Sequence, residues 1–142
     1  MDAFDADVII YAATPGHVLG AGVRSLFSSQ LSESAAGVGI GSVLLLPEVL
    51  SKPIRDEQKE AITRLAGFLS RLTLLSLDEG TAELATTLAA SYDLRAADAV
   101  HLATAVAYSA DRFITNNRDD FWKSISEIDV TYPEELSEHP RE

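Results

Sequence analysis

Apolar positions fall into short continuous runs that alternate with longer stretches of helical spacing. Ala3 to Tyr11 opens with a very short strand. Asp5 and Asp7 share a face only if that strand continues through both; otherwise it ends near Asp5 and a turn begins. Thr14-Pro15-Gly16 signals a loop. Val18 to Phe27 places Leu19, Val23, Leu26 and Phe27 at helical spacing, and the polar run Ser28 to Ala36 ends that helix. Val38 to Leu46 predicts a second strand, apolar enough to be buried on both faces. Pro47 follows at once and suits a helix start, with Lys52-Pro53 as its end. Arg55 to Leu72 predicts one long helix with Ile62, Leu65, Ala66, Leu69 and Leu72 as its apolar stripe. Leu72 to Leu77 predicts the third strand. Asp78 is placed to cap a helix over Glu79 to Ser91, with Leu84 and Leu88 inward. After the break at Tyr92-Asp93, Arg95 to Tyr108 predicts a helix and Arg112 to Thr115 the fourth strand. Ile128 to Thr131 predicts an edge strand, and Pro133 to Glu142 a frayed polar tail.

Strands that alternate with helices predict a parallel sheet covered by helices on both faces, joined by right-handed crossovers. At 142 residues the chain suits one domain, residues 1–132, with the tail at 133–142. No linker or internal repeat divides it. The absence of cysteine excludes disulfides and thiolate chemistry, and it suits a reducing cytoplasm. Asp2, Asp5 and Asp7 crowd the N-terminus where a signal peptide would be basic and then apolar. No apolar run approaches the length of a membrane span. The net charge of −11 disfavours nucleic-acid binding by bulk electrostatics. Divalent cations gathered at an acidic site, or a basic partner, would offset it.

Against this frame the acids gain meaning. Ligands of an open parallel sheet bind beyond the carboxyl ends of its strands. Asp5 lies at the end of the first strand, and Glu48 lies just after the second. Asn117, Asp119 and Asp120 follow the fourth, while Asp98 lies on the apolar helix before it. A carboxylate on such a helix is costly unless it is paired or holds a metal. Hard oxygen donors suit Mg²⁺ or Mn²⁺, whereas His17, His101 and His139 are too scattered for zinc. Gathered acids repel unless a cation joins them. With Mg²⁺ they suit phosphodiester hydrolysis by activated water.

The segments FDADVIIYA, SVLLLPEVLSKP and LRAADAVHLATAVAYSADRFITNNRDDF resemble the PIN domain family, most of all its VapC-type toxins of bacterial toxin–antitoxin pairs. The likeness runs through nearly the whole chain in order and is most specific in the last segment. It implies a three-layer α/β/α sandwich and an Mg²⁺- or Mn²⁺-dependent endoribonuclease. It also implies a homodimer and a cognate antitoxin that inserts a segment near the active site. By position Asp5, Glu48 and Asp98 match the family's acids and would hold the metal. The fourth position, often Asp, is Asn117 here, with Asp120 three residues on. Ala6 stands where a hydroxyl residue is usual.

The first expectation is therefore a toxin-like, metal-dependent endoribonuclease acting on RNA through Asp5, Glu48 and Asp98, aided by Asn117 or Asp120. The second is a binding module of the same fold without catalysis. A phosphatase or DNase using the same acids is the third. Asp7 is expected to support the site or cap the turn, and Thr115 to bond a carboxylate or fill a strand end. His101 shares the Asp98 face and is expected to be a buried structural histidine. Phe121 and Trp122 are expected in the core or an interface rather than as base-stacking platforms, and Arg95, Arg112 and Arg118 beside the site, either contacting RNA phosphates or as ordinary solvated charges.

Overall fold

Only three residues, Asp2–Phe4, form β1, yet both of its edges are paired. β1 lies parallel to β2 (Gly39–Ser42) on one side and to β4 (Arg112–Ile114) on the other. β3 (Leu72–Leu75) adds beyond β2, and β5 (Asp129–Thr131) adds beyond β4. The result is a parallel sheet in the order β3-β2-β1-β4-β5. The structure, a computed structural model, describes residues 1–29 and 37–136.

The helices of the described residues are α1 (Ala6–Ala13), α2 (Gly20–Ser29), α3 (Leu45–Arg55), α4 (Lys59–Leu69), α5 (Glu79–Tyr92) and α6 (Ala96–Ala107). Strand alternation sorts them into two layers, because successive side chains point to opposite faces. Phe4 and Ile114 join Val8, Ile9, Val23, Leu45 and Leu65 in one core, under α1 to α4. Ala3 and Phe113 join Leu88, Leu102, Ala103 and Val130 in the other, under α5 and α6. The fold is thus the expected three-layer α/β/α sandwich.

Several boundaries differ from expectation, each for a local reason. After Asp5 the chain forms α1 rather than a strand or a simple turn. Asp5 caps it by accepting from the Ala6 N–H at 2.8 Å. Val8, Ile9, Ala12 and Ala13 then bury one face, a spacing masked in the sequence by the β-branched run Val8-Ile9-Ile10. β2 stops at Ser42, and α3 begins at Leu45. Pro47 is thereby the third helical residue, where a missing N–H removes no intrahelical bond. Pro53 is accommodated inside α3, which runs on to Arg55. The single long helix expected from Arg55 is broken at Glu57, whose φ of +56° lies in the left-handed region, and α4 starts at Lys59.

The acidic end also differs. Pro133–Glu135 form a 3₁₀ turn, closed by the Glu135 carboxylate accepting from the Tyr132 N–H at 2.9 Å. Leu136 is buried with the α1–α4 core. Burial of one leucine and a satisfied turn outweigh the polar composition that reads as fraying. Residues 137–142, and residues 30–36 of the polar run after α2, lie outside the described residues. No helix among the described residues is long and apolar enough to cross a membrane.

Two glycines separate backbone constraint from tolerance. A Cβ on Gly39 would collide with the Asp2 carbonyl oxygen and lie 2.9 Å from the Phe4 ring. Gly39→Ala is expected to lower the unfolding free energy by about 1–3 kcal/mol, as overpacking does. Gly67, on α4, has nothing within 4 Å of that position. Gly67→Ala is expected to raise stability by about 0.5–1 kcal/mol through helix propensity. Urea unfolding followed by circular dichroism measures both.

Candidate active site

The strand order reverses direction at β1: the chain proceeds outward to β2 and β3, then returns to β4 on the other side. The crevice at such a switch point, beyond the carboxyl ends of β1 and β4, is where open parallel sheets bind ligands. Asp5 stands there, 5% exposed. Its N–H donates to the Ile114 carbonyl at 2.9 Å, which continues the β1–β4 ladder by one residue. One carboxylate oxygen accepts from the Ala6 N–H at 2.8 Å, and the other accepts from the fully buried Thr115 hydroxyl at 2.8 Å. Thr115 is therefore a carboxylate partner rather than filler.

Other acids surround this one. Asp7, in the first turn of α1, accepts from the Asn116 N–H at 3.0 Å through one oxygen. Its second oxygen is buried with no partner among the described residues. Asp98 lies in the first turn of α6, half-buried. Its helix shows Ala96 and Ala97 to solvent, so the site end of α6 is more open than its composition suggests. Glu48, in the first turn of α3, accepts or shares a proton with His101 Nε2 at 2.8 Å. The His101 side chain is 1% exposed and that of Glu48 is 35% exposed. His101 is buried as expected, but it also ties α6 to α3 at the site, a link its spacing from Asp98 alone does not reveal.

Burial and mutual repulsion set the protonation of this group. Burial pushes Asp5 above the usual carboxylate range, against the pull of His101 and the Thr115 hydrogen bond. Asp7 is raised to about 7, first by burial and then by the charge of Asp5. Asp98 is raised to about 6 by burial, then by Asp5 and Asp120. For His101, burial pulls downward, but the Glu48 hydrogen bond and the charges of Asp5, Glu48 and Asp98 outweigh it, and the net shift is upward. Asp5 is thus linked electrostatically to Asp7, Glu48 and Asp98, and Asp98 in turn to Asp120.

The loop after β4 completes the crevice. The Asn117 N–H donates to the Thr115 hydroxyl oxygen at 3.1 Å. Its side-chain amide donates to Asp120 at 2.9 Å. Asn117 and Asp120 therefore form one unit, in which the amide orients the acid. Asn116 also donates to the Tyr11 hydroxyl at 3.3 Å, which fastens the loop to α1.

One expected neighbour lies elsewhere. Arg112 opens β4 and makes a two-pronged bond to Asp2, at 2.9 and 3.0 Å, at the opposite end of the strands. It does not flank the site. Arg118 pairs with Glu134 and lies over the Tyr132 ring. Phe121 is core, but Trp122 is exposed. His139 lies outside the described residues.

The donor set suits a divalent cation in chemistry: oxygens only, one of them a buried orphan, and three carboxyls held above their usual range by burial and each other's charge. Its spacing is looser. Among the described residues no three His, Asp or Glu side chains are gathered closely enough to hold a metal ion as they stand. Glu48 is the acid turned aside, toward His101.

The comparisons with known proteins bear on this arrangement. The family model of the PIN domain matches residues 3–127. Among solved structures, a toxin-antitoxin complex from Klebsiella pneumoniae contains a chain similar to this one, with 26% identity and a TM-score of 0.67, covering 94% of this chain and 98% of that one. No curated protein matches.

The raised carboxyls fix the sign of a pH effect. Asp7 titrates at about 7 in the folded chain and at about 3.9 when unfolded. Between those values the folded state binds more protons, so stability falls as pH rises through that window. Asp98 acts in the same direction with a smaller window, up to about 6. Thermal unfolding is expected to show a higher midpoint at pH 5 than at pH 7.5 in metal-free buffer. Asp7→Asn is expected to flatten that slope; an unchanged slope in the variant would remove Asp7 as its source.

Proposed function

This chain belongs to the PIN domain family, and on that premise we propose that it is a metal-dependent endoribonuclease, the toxin of a toxin–antitoxin pair. PIN domains are generally metal-dependent nucleases, and the similarity to a chain of a toxin-antitoxin complex supports the toxin reading. The observation that carries the catalytic part is the buried Asp5 carboxylate at the sheet's switch point, linked electrostatically to Glu48 and Asp98, and through Asp98 to Asp120.

Asp5, Asp98 and Glu48 would hold Mg²⁺ or Mn²⁺, which supplies a Lewis acid and an activated water for attack on an RNA phosphodiester. The remaining groups position these acids. The Thr115 hydroxyl and the Ala6 N–H hold Asp5 in one rotamer. His101 holds Glu48 from inside the core. Asn117 holds Asp120, and Asp7 holds the backbone of the same loop through Asn116. Asp98 and Asp7 are shifted upward by burial first and by the charge of Asp5 second, and a bound cation would offset both.

The partners belong to the same proposal: RNA as substrate, a cognate antitoxin as inhibitor, and a second copy of the chain in a homodimer, in the cytoplasm. A second reading, a PIN-fold binding module without catalysis, draws on one observation, the absence among the described residues of a ready-made three-acid metal cage.

Asp98→Asn and Asp5→Ala are expected to reduce RNA cleavage in Mg²⁺ or Mn²⁺ at least about 100-fold, on the order of the loss seen when one essential electrostatic group is removed, and to abolish growth inhibition. Circular dichroism should show the fold intact. Asp98→Asn protein that cleaves as fast as the parent would end the assignment. Calorimetric titration with Mn²⁺ separates the two readings: heat that saturates in the parent and is lost in Asp98→Asn fits the nuclease, and none near millimolar metal fits the module.

A further inference from the structure

Trp122 stands two residues beyond Asp120, the acid whose charge acts on Asp98. Its exposure is 61%, while its neighbour Phe121 is fully buried, edge-on to Phe113 with ring centroids 5.0 Å apart. The loop therefore spends one aromatic on the core and presents the other outward. The indole N–H donates to the Asp119 carbonyl at 2.7 Å, so the polar handle is satisfied and the ring orientation fixed. The backbone beneath is held as well: the Tyr132 hydroxyl donates to the Phe121 carbonyl at 2.7 Å, and the Ile125 N–H to the Trp122 carbonyl at 3.1 Å. An exposed ring held in one orientation, on the loop that carries Asp120, loses little entropy when something stacks on it.

The same loop carries cations. Arg118 and Lys123 flank Trp122 in sequence and both lie over the Tyr132 ring, at 4.3 and 4.9 Å from its centroid. Each is paired to a glutamate of the 3₁₀ turn, Glu134 or Glu135, yet each stays nearly half exposed. An arginine carries five donors and a lysine three, so both keep donors for a further anion. The chain's charge of −11 bars a broad electrostatic hold on a polyanion. Stacking on an aromatic face needs no net charge, and together with cations on the backbone it holds single-stranded nucleic acids without sequence preference.

Resting on the ribonuclease reading above, we propose that Trp122 is a stacking platform for a base of single-stranded RNA entering the acid crevice, with Arg118 and Lys123 on the adjoining phosphates. Paired bases already stack on each other, so a duplex does not satisfy the platform.

Trp122 is the chain's one tryptophan, and its fluorescence reports on the platform alone. The full-length protein in EDTA, where metal-dependent cleavage is stopped, is titrated with a mixed-sequence single-stranded oligoribonucleotide of about ten nucleotides, a length on the scale of single-strand binding sites. Saturable quenching is expected, with none from a duplex of the same sequence. Binding of the dye-labelled strand should weaken about 5- to 150-fold in Trp122→Ala, the range for one stacked base. Trp122→Phe keeps a ring without the indole N–H and should retain most of the affinity. Absence of quenching overturns the proposal, as does Trp122→Phe as weak as Trp122→Ala, which would assign the loss to the Asp119 bond. Quenching that follows protein concentration without RNA also overturns it, in favour of a contact between copies. The two readings fail separately. Trp122-dependent RNA binding by a protein that cuts no RNA in Mg²⁺ or Mn²⁺ keeps the platform and sinks the nuclease. Cleavage by a protein whose RNA affinity ignores Trp122→Ala sinks the platform alone.

Discussion

The hydrogen bond from the Thr115 hydroxyl to the Asp5 carboxylate is the constraint on which the site depends. It is made inside the protein, between the residues that follow two neighbouring parallel strands. Asp5 ends β1, caps α1 and faces the crevice, so one side chain serves the sheet, a helix and the site. A buried carboxylate with two good donors is still raised above its usual range. Desolvation therefore exceeds what the donors return, and the shortfall can be met by positive charge from outside the chain.

Two groups can supply it. Protonated His101 is the internal one: it bonds Glu48, and its charge acts on Asp5. It reaches the acids from the core side of α6. A cation from solvent would arrive from the crevice side and draw on Asp5, Asp98 and Glu48 together. The Glu48–His101 bond explains how the acids coexist without a close three-acid cage. A half-exposed glutamate on a buried histidine is also free to turn outward, since the first turn of α3 leaves its side chain partly in solvent.

The sheet, its parallel sense and its strand positions were legible because buried parallel strands leave continuous apolar runs. Helix boundaries were less so. α1 was hidden because Val8-Ile9-Ile10 has strand-like residues, while the cap that decides for helix, Asp5, was read for its chemistry. The break at Glu57 turns on one left-handed residue that carries no sequence mark. Asp5, Glu48, Asn117 and Asp120 were nameable from their places after strands, and Asp98 from its place on an apolar helix. What sequence spacing could not give was the partner of each: Glu48 with His101 across 53 residues, Asn117 with Asp120 rather than with a carboxylate of its own. Arg112 illustrates the opposite error. It is close in sequence to the site loop, but a strand's length separates its two ends.

The middle position of β1 has a consequence for the order of assembly. The second residue of the chain and the hundred-and-twelfth are register partners, and the Asp5–Thr115 bond spans 110 residues. Closing a loop of that size costs entropy before its contacts return anything, so this pairing is the slow kind of contact to form. A chain that stops before Thr115 lacks the partner that orients Asp5. The crevice therefore forms only once β1 and β4, the two paired strands farthest apart in the chain, have come together.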